Sequence, residues 1–350
     1  MEAIKIILKV ILMVSNFPKI IKKYLGDLPQ DDYPVLNTFL FVSTWLSFVL
    51  DQGQTSMTCL FKTLNIRGIK VDKSTFSKAS KKRDPKLFYN LFKKLRKELN
   101  KSKKIDKNKL ALFPLDSTIV TLTSKLLWQQ GYKQVKLLSG LNLLTSSPGG
   151  IVIHFGQGHD SKYGDDTIKA NPENGVSIMD RGFSSLSRIK FLLGEVNKYF
   201  LLRIKKNITI QMLENGSYLL GKGEEQLEVR LVMFCDVETR TEFRLATNLP
   251  ESGASRLSNQ EIGELYRLRW QIELFWKFLK MHLKLDNLIT KNTNGIEIQI
   301  YSCLIGYLLL ALVTIPQEFG YKLLDKLRYL QAFMSENISY VHWFKKLVFT

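Results

Sequence analysis

The side chains with the clearest chemical potential in this sequence lie in a stretch without glycine or proline near residue 270. Four of them follow the pattern Tyr-x2-Arg-x3-Glu-x6-Lys: Tyr266, Arg269, Glu273 and Lys280. At 3.6 residues per turn, this spacing places them on one strip of a helix. The strip joins one carboxylate, two cations and a phenol, a set that could contact phosphate groups. Taken alone, the spacing favours a simpler interpretation, a helix whose border carries an ion pair.

A helix over residues 266–280 must position these side chains. The Ser258-Asn-Gln-Glu261 pattern before it is typical of a capping box, which begins a helix. Beside the polar strip lies an apolar face that can bury against a core: Leu265, Leu268, Ile272, Phe275, Trp276 and Leu279. We therefore expect the carboxylate of Glu273 at the edge of a buried surface.

The four-residue pattern resembles, residue for residue, the YREK signature of bacterial insertion-sequence transposases of the DDE type. These are cut-and-paste enzymes with an RNase H-like catalytic core. The resemblance implies two aspartates upstream. Asp116, at the end of the predicted strand 109–117, looks like the first, and Asp180, in Asp180-Arg-Gly-Phe183, looks like the second. Catalytic and metal-binding roles are thereby implied for Asp116, Asp180 and Glu273.

Three carboxylates suit Mg²⁺ (or Mn²⁺), because a hard divalent cation prefers oxygen ligands. Two such ions, about 3.5–4 Å apart, can stabilise the attacking and leaving oxygens of an in-line phosphoryl displacement. The neighbouring Arg269 and Lys280 can hold DNA phosphates, and Tyr266 can donate a hydrogen bond to one. The cofactor expected is therefore Mg²⁺ or Mn²⁺.

Each of these residues, taken singly, also has a structural explanation. A strand-end aspartate such as Asp116 could merely cap a turn, and Arg269 could be an ordinary partner of Glu273. The position of Asp180 has competitors in a polar loop that no buried strand precedes: Asp160, Asp165 and Asp166. Only the joint match favours the catalytic interpretation.

The net charge of +19 favours a polyanionic partner, nucleic acid before an anionic membrane surface. Residues 70–109 hold 16 Lys and Arg against four acidic residues, with apolar residues at helical spacing. A helix over 54–64, a turn at 65–69 and a basic helix from Asp72 to Ala79 outline a helix-turn-helix. The cations expected to contact DNA there are Lys73, Lys78, Lys81, Lys82 and Arg83.

Cysteine and histidine usage argues against a disulfide framework and against zinc chemistry. The three cysteines are widely separated, and the four histidines do not cluster. The apolar run Tyr301–Ile315 falls short of the ~20 residues that cross a bilayer, so it predicts a buried core helix. We expect a cytoplasmic, DNA-associated bacterial protein without a membrane partner.

The fold class expected is α/β, an RNase H-like mixed sheet preceded by an all-α N-terminal domain. Apolar runs indicate strands before each aspartate, and Ser147-Pro-Gly-Gly150 is typical of a hairpin turn. We divide the chain into a helical basic DNA-binding domain (1–108) and a catalytic domain (109–350). The catalytic domain is expected to carry a β-rich insertion at about 206–250 and the C-terminal helices.

The resemblance implies a DNA transposase that binds terminal inverted repeats and catalyses Mg-dependent strand cleavage and strand transfer. Its partners would be double-stranded element ends and target DNA, within a homodimeric complex. The alternatives are an RNase H-like metal-dependent nuclease or resolvase, or a catalytically inactive DNA-binding relic. Some family members stack an extruded base on a tryptophan of the insertion, but no Trp lies between Arg181 and Arg269. Aromatic candidates for that role are Phe183, Tyr218, Phe234 and Phe243.

Overall fold

The computed structural model describes residues 28–29, 31, 33, 35–66, 70–103, 109–235, 240–250 and 256–334. In chain order the helices are α1 (Thr38–Leu50), α2 (Met57–Ile66), α3 (Lys73–Lys82), α4 (Lys86–Ser102), α5 (Lys125–Gln129), α6 (Asp160–Tyr163), α7 (Asp165–Lys169), α8 (Leu186–Leu193), α9 (Asn259–Arg267), α10 (Trp270–His282), α11 (Thr293–Leu312) and α12 (Leu323–Met334). The strands are β1 (Ala111–Thr121), β2 (Gln134–Asn142), β3 (Ser147–Phe155), β4 (Gly175–Met179), β5 (Lys198–Arg203), β6 (Ile210–Met212), β7 (Tyr218–Leu220), β8 (Leu227–Cys235) and β9 (Glu242–Thr247).

Two compact units make up the chain. One is Lys103–Lys277, and the other combines the residues before it with those from Phe278 onward. The division predicted at residue 108 had assigned the C-terminal helices to the catalytic domain. The structure instead packs α11 against α1, α3 and α4. The physical reason is that α11 is apolar on nearly every side, so it needs helices all around it.

The sheet of the Lys103–Lys277 unit has the order β3-β2-β1-β4-β5-β9-β8-β7-β6. β1, β2 and β3 pair antiparallel, whereas β1, β4 and β5 run parallel. This is the RNase H-like mixed sheet that the sequence predicted, so the fold class is confirmed. The predicted β-rich segment 206–250 contains β6 to β9, and β9 pairs antiparallel with β5, which extends the same sheet.

Side chains of the central strands alternate between two cores. Phe113 and Leu115 pack on one face with the buried Phe183 and with Ile189 of α8. On the other face, Val176 and Ile178 of β4 pack with Ile262 and Tyr266 of α9. Side chains of a strand alternate between the two faces with a period of two. Continuing the series Val176, Ile178 therefore places residue 180 on the α9 face.

The helical unit is built around aromatic contacts. Phe76 of α3 lies against Phe41, Trp45 and Phe61, with ring centroids 5.2–5.5 Å apart. Among the described residues, α11 is the helix long and apolar enough to cross a membrane, but 78% of its most apolar window is buried within the protein. The sequence had predicted a core helix over part of this span.

The hairpin between β2 and β3 turns earlier than predicted. Residues 143–146 form the turn, and Ser147–Gly150 belong to β3. The Asn142 side chain accepts hydrogen bonds from the amides of Leu144 and Thr145, at 3.0 and 3.4 Å, and so stabilises the turn. Gly150 serves another purpose: a Cβ there would lie 2.5 Å from the Thr167 Cα, so its absence lets α7 pack on β3.

Candidate active site

The register of two parallel strands brings Asp116 and Asp180 together. Pro114 of β1 pairs with Ile178 of β4; Asp116 lies two residues further along β1, and Asp180 directly follows Met179, the last residue of β4. Neighbouring strands are about 4.8 Å apart, so the two aspartates lie level with each other on the same face of the sheet. α9 covers this face, and α10, which carries Glu273, follows α9 directly in the chain. The prediction that Asp116 ends its strand was wrong, because β1 pairs with β2 beyond it and continues to Thr121.

A short 3-10 turn, Arg181–Phe183, holds Asp180. Its carboxylate accepts a hydrogen bond from the Gly182 amide at 2.8 Å, and Phe183 is fully buried in the core behind the turn. A Cβ at Gly182 would lie 3.0 Å from the Asp180 Oδ1. The turn is therefore anchored by Phe183 and requires close backbone approach at Gly182.

Glu273 is positioned by two helices rather than by the single helix that the sequence predicted. α9 ends at Arg267, and α10 begins at Trp270. Across the break, the Arg269 amide donates to the Tyr266 carbonyl at 3.0 Å, a tight i to i−3 bond. The change of direction explains why Leu268, expected on the apolar face, is 37% exposed. The capping box is confirmed, since Ser258 and Glu261 exchange hydrogen bonds.

Arg269 and Glu273 form a partly buried ion pair, with 2.6 Å between guanidinium nitrogen and carboxylate oxygen. Burial by itself would lower the pKa of Arg269. The hydrogen bond to Glu273, together with the charges of Tyr266, Glu273 and Asp116, raises that pKa instead. Arg269 is thus a permanent cation held among the carboxylates.

Burial raises the pKa of Asp116 to about 7, and the charges of Asp180 and Glu273 add to the shift, while Arg269 opposes it. These influences place all three sequence-predicted carboxylates in one electrostatic environment. Together they carry more negative charge than Arg269 alone can balance.

This excess charge predicts a pH dependence of stability without metal. A carboxyl whose pKa is raised by folding stabilises the folded state at low pH and loses that contribution as pH rises through its folded pKa, here about 7. We expect Asp116→Asn to remove part of the fall in melting temperature between about pH 4 and pH 7, an effect of at most about 4 kcal/mol. Differential scanning calorimetry in EDTA tests this. An unchanged pH profile would contradict it.

The donor set fits a hard divalent cation. All three carboxylates offer oxygen ligands, and a cation would neutralise the charge that raises the pKa of Asp116. Within the described residues, no three His, Cys, Asp or Glu side chains are arranged as a metal-binding group. Glu273 is instead bound to Arg269. Glu273 can reach an ion through its other carboxylate oxygen or by exchanging its arginine partner for the ion.

Tyr266 is buried beside this ion pair. Burial raises the pKa of its phenol to about 12. The Tyr266 ring lies edge-on to the Phe243 ring, with 6.0 Å between the centroids. The Arg203 guanidinium covers the Phe243 ring, 4.0 Å from its centroid. Sequence reasoning missed Arg203. Its position at the end of β5, beside the strand that leads to Asp180, was the available signal.

The remaining candidate residues fall in different surroundings. Lys280 lies two turns beyond Glu273 on α10, and its ammonium pairs with Asp286 at 3.5 Å. Phe183 is fully buried, which leaves no face for a base to stack on. Phe234 and Phe243 stack on each other, with centroids 5.0 Å apart. Tyr218 packs against the core at partial burial.

The basic helix α3 presents most of its predicted cations to solvent. Lys73, Lys78, Lys81 and Lys82 are exposed. Arg83 differs, because its guanidinium covers the Phe41 and Tyr33 rings at 4.5 and 4.4 Å and donates to the Leu36 carbonyl. Arg83 therefore has a structural role in the helical unit. Residues 67–69 of the predicted turn lie outside the described residues.

Comparison with known proteins identifies relatives of the whole chain. Residues 107–309 match the family model described as a transposase DDE domain. A transposase of the insertion sequence element IS4SA from Synechocystis sp. is 59% identical over 96% of this chain and 99% of its own length. The transposase of element IS5377 from Geobacillus stearothermophilus is 26% identical over 56% of this chain and 55% of its own. A piggyBac transposase synaptic complex with hairpin DNA aligns at a TM-score of 0.42 and 11% identity, covering 94% of this chain and 78% of that one.

Proposed function

Because the chain belongs to the DDE transposases of bacterial insertion sequences, we propose that it binds the terminal inverted repeats of its element and, with Mg²⁺ or Mn²⁺, cleaves the ends and joins them to target DNA. The family in general uses divalent metal ions. The observation that carries the proposal is the convergence of Asp116, Asp180 and Glu273 around Arg269, with too little positive charge to balance them. A bound cation and a DNA phosphate would complete that arrangement.

In this proposal, Asp116, Asp180 and Glu273 hold the metal. The ion would activate a water or a DNA 3′-hydroxyl for in-line attack on a phosphate. Asp180 is fixed in advance, because the Gly182 amide occupies one of its carboxylate oxygens and orients the other. Glu273 would bind the ion with the carboxylate oxygen that does not contact Arg269, or exchange Arg269 for the ion.

Arg269 then becomes available to a phosphate. Its planar guanidinium can donate two parallel hydrogen bonds to phosphate oxygens, and it cannot bind a metal ion because it has no lone pair to offer. Tyr266 keeps its proton at neutral pH, because burial holds its pKa near 12. A protonated phenol can accept a hydrogen bond from Arg269 and still donate its own proton, which suits an anionic substrate. Lys280 would exchange Asp286 for a phosphate at the cleaved ends.

DNA binding is assigned to the exposed face of α3, with Lys73, Lys78, Lys81 and Lys82 contacting phosphates. Because α11 and α12 share a unit with α3, an N-terminal fragment lacks part of its supporting structure. The DNA-binding test therefore uses the full chain. We propose that two copies assemble on a pair of element ends.

Replacing Lys78, Lys81 and Lys82 with alanine should weaken DNA binding and flatten its dependence on salt. Each lost phosphate contact is expected to reduce the slope of log K against log [salt] by about one. Fluorescence anisotropy with a labelled duplex at several salt concentrations measures this. Lys190→Ala, on the exposed side of α8, is the matched control. An unchanged slope in the triple variant would place the DNA contacts elsewhere.

The function itself is tested by incubating the full chain with DNA that carries the element ends, a second labelled duplex, and either Mg²⁺ or EDTA. Transposition predicts metal-dependent cleavage at the ends and joining to the second duplex. Hydrolysis without joining would indicate a nuclease or resolvase. Binding without cleavage in Mg²⁺ would indicate an inactive DNA-binding protein.

A further inference from the structure

A second ion pair lies beside the Asp180 turn, formed by residues to which the proposed function gives no role. Lys136 of β2 is only 7% exposed, and its ammonium contacts the Asp160 Oδ1 at 2.8 Å. The same nitrogen donates to the Gly158 carbonyl at 2.7 Å. A buried lysine that has both a charged and a neutral partner is held in one place.

Asp160 reaches from this pair to the turn that holds Asp180. A Cβ at Gly182 would lie 3.1 Å from the Asp160 Oδ2 and 3.0 Å from the Asp180 Oδ1. The two carboxylate oxygens are therefore separated by no more than the sum of those distances. α6, which Asp160 begins, contacts the Arg181–Phe183 turn directly.

Two carboxylates so close together repel each other unless one is neutralised. Lys136 neutralises Asp160 and leaves Asp180 as the carboxylate with a free negative charge on the α9 side. Asp160 also lies close to Gly182, whose amide orients the Asp180 carboxylate. The pair thus controls both the charge next to Asp180 and the space in which its turn can move.

We propose that Lys136 and Asp160 are positioning residues for Asp180, and that they set the affinity of the site for its divalent cation. This inference rests on the proposed metal-binding role of Asp180. Partners of metal ligands typically change metal affinity by about 10- to 100-fold when they are replaced. Lys136→Met should weaken metal binding by releasing Asp160 from its place beside the turn, which loosens the support of Asp180.

The test measures Mn²⁺ binding to the full chain by electron paramagnetic resonance, without DNA and independently of activity. The variants are Lys136→Met, Asp160→Asn, their double variant and Asp180→Ala. The matched control is Asp165→Asn, which removes an ion pair of similar length to Arg188, 2.7 Å, on a neighbouring helix. Melting temperatures in EDTA are measured on the same samples.

We expect each single variant to weaken Mn²⁺ binding by about 10-fold or more, and Asp165→Asn to bind as wild type does. The double variant contains no unpaired charge, so its melting temperature should recover relative to Lys136→Met. Its Mn²⁺ affinity should stay weak, because Asp180 is still unsupported. A purely structural ion pair would predict recovery of both properties.

Two results would overturn the inference. One is Mn²⁺ affinity within twofold of wild type in the double variant while Asp180→Ala loses binding. The other is an equal loss of affinity in Asp165→Asn, which would indicate a general packing effect. Wild-type Mn²⁺ affinity in Asp180→Ala would instead contradict the proposed function. It would show that Asp180 does not bind the metal ion.

Discussion

Alanine at Asp116, Asp180 or Glu273 is expected to reduce strand cleavage by roughly a thousandfold or more. Each change removes an oxygen ligand from a cation that supplies several kcal/mol of transition-state stabilisation, and about 4 kcal/mol corresponds to a thousandfold in rate. DNA binding should persist, because the exposed cations of α3 belong to the helical unit. Gel-based cleavage of labelled element ends in Mg²⁺ measures the rate, and anisotropy measures binding.

The stability of these variants distinguishes ligands from structural residues. Asp116→Ala should leave the melting temperature in EDTA unchanged or higher, since burial and its acidic neighbours raise the pKa of Asp116 in the folded protein. Asp166→Ala, at an exposed position of α7, serves as the control that should cleave normally. Near-normal cleavage by Glu273→Ala would remove it from the catalytic set.

Arg269→Ala is expected to slow cleavage by about 100-fold while the Mg²⁺ requirement remains. An arginine that stabilises charge on a phosphate contributes an effect of this order when its hydrogen bonds are made in the transition state. Mn²⁺ affinity should stay equal or increase, because the variant frees Glu273 from its competing partner. Arg269→Lys should restore little, since an ammonium cannot reproduce the planar fork.

An ordinary ion pair at a helix border predicts a different outcome for the same variants. Losing such a pair costs up to about 1 kcal/mol of stability and leaves the rate unaffected. Measuring the cleavage rate and the melting temperature together decides between the two. Lys280→Ala and Asp286→Asn each remove one partner of the same ion pair, so their effects on assembly can be compared directly. If only Lys280→Ala slows assembly on cleaved ends, the lysine acts on DNA; equal behaviour would reduce it to a partner of Asp286.

Much of the catalytic unit was predictable because its signals are local. The apolar strands that carry Asp116 and lead into Asp180 follow from short-range patterning, and the Ser258–Glu261 capping box forms within one helical turn. The order of the elements along the chain suited an RNase H-like sheet, whereas the order of the strands within the sheet was not predicted. The resemblance then indicated which strand-end aspartates to pair with Glu273.

Tertiary packing decided what local patterning could not. The helical pattern near residue 270 continues without interruption, yet α9, which packs on the sheet, ends at Arg267, and α10 begins at Trp270. The Gly149–Gly150 signal was typical of a turn, whereas the close approach of α7 is what requires a glycine.

By itself, therefore, the sequence determined the residue types of the site and the elements that carry them, because propensity, capping and periodicity act over a few residues. Only the tertiary structure decided three other features. These are the raised pKa of Asp116, the placement of α11 among the N-terminal helices, and the Lys136–Asp160 pair beside Gly182. Each depends on burial or contact between residues distant in the chain, and no local pattern carries that information.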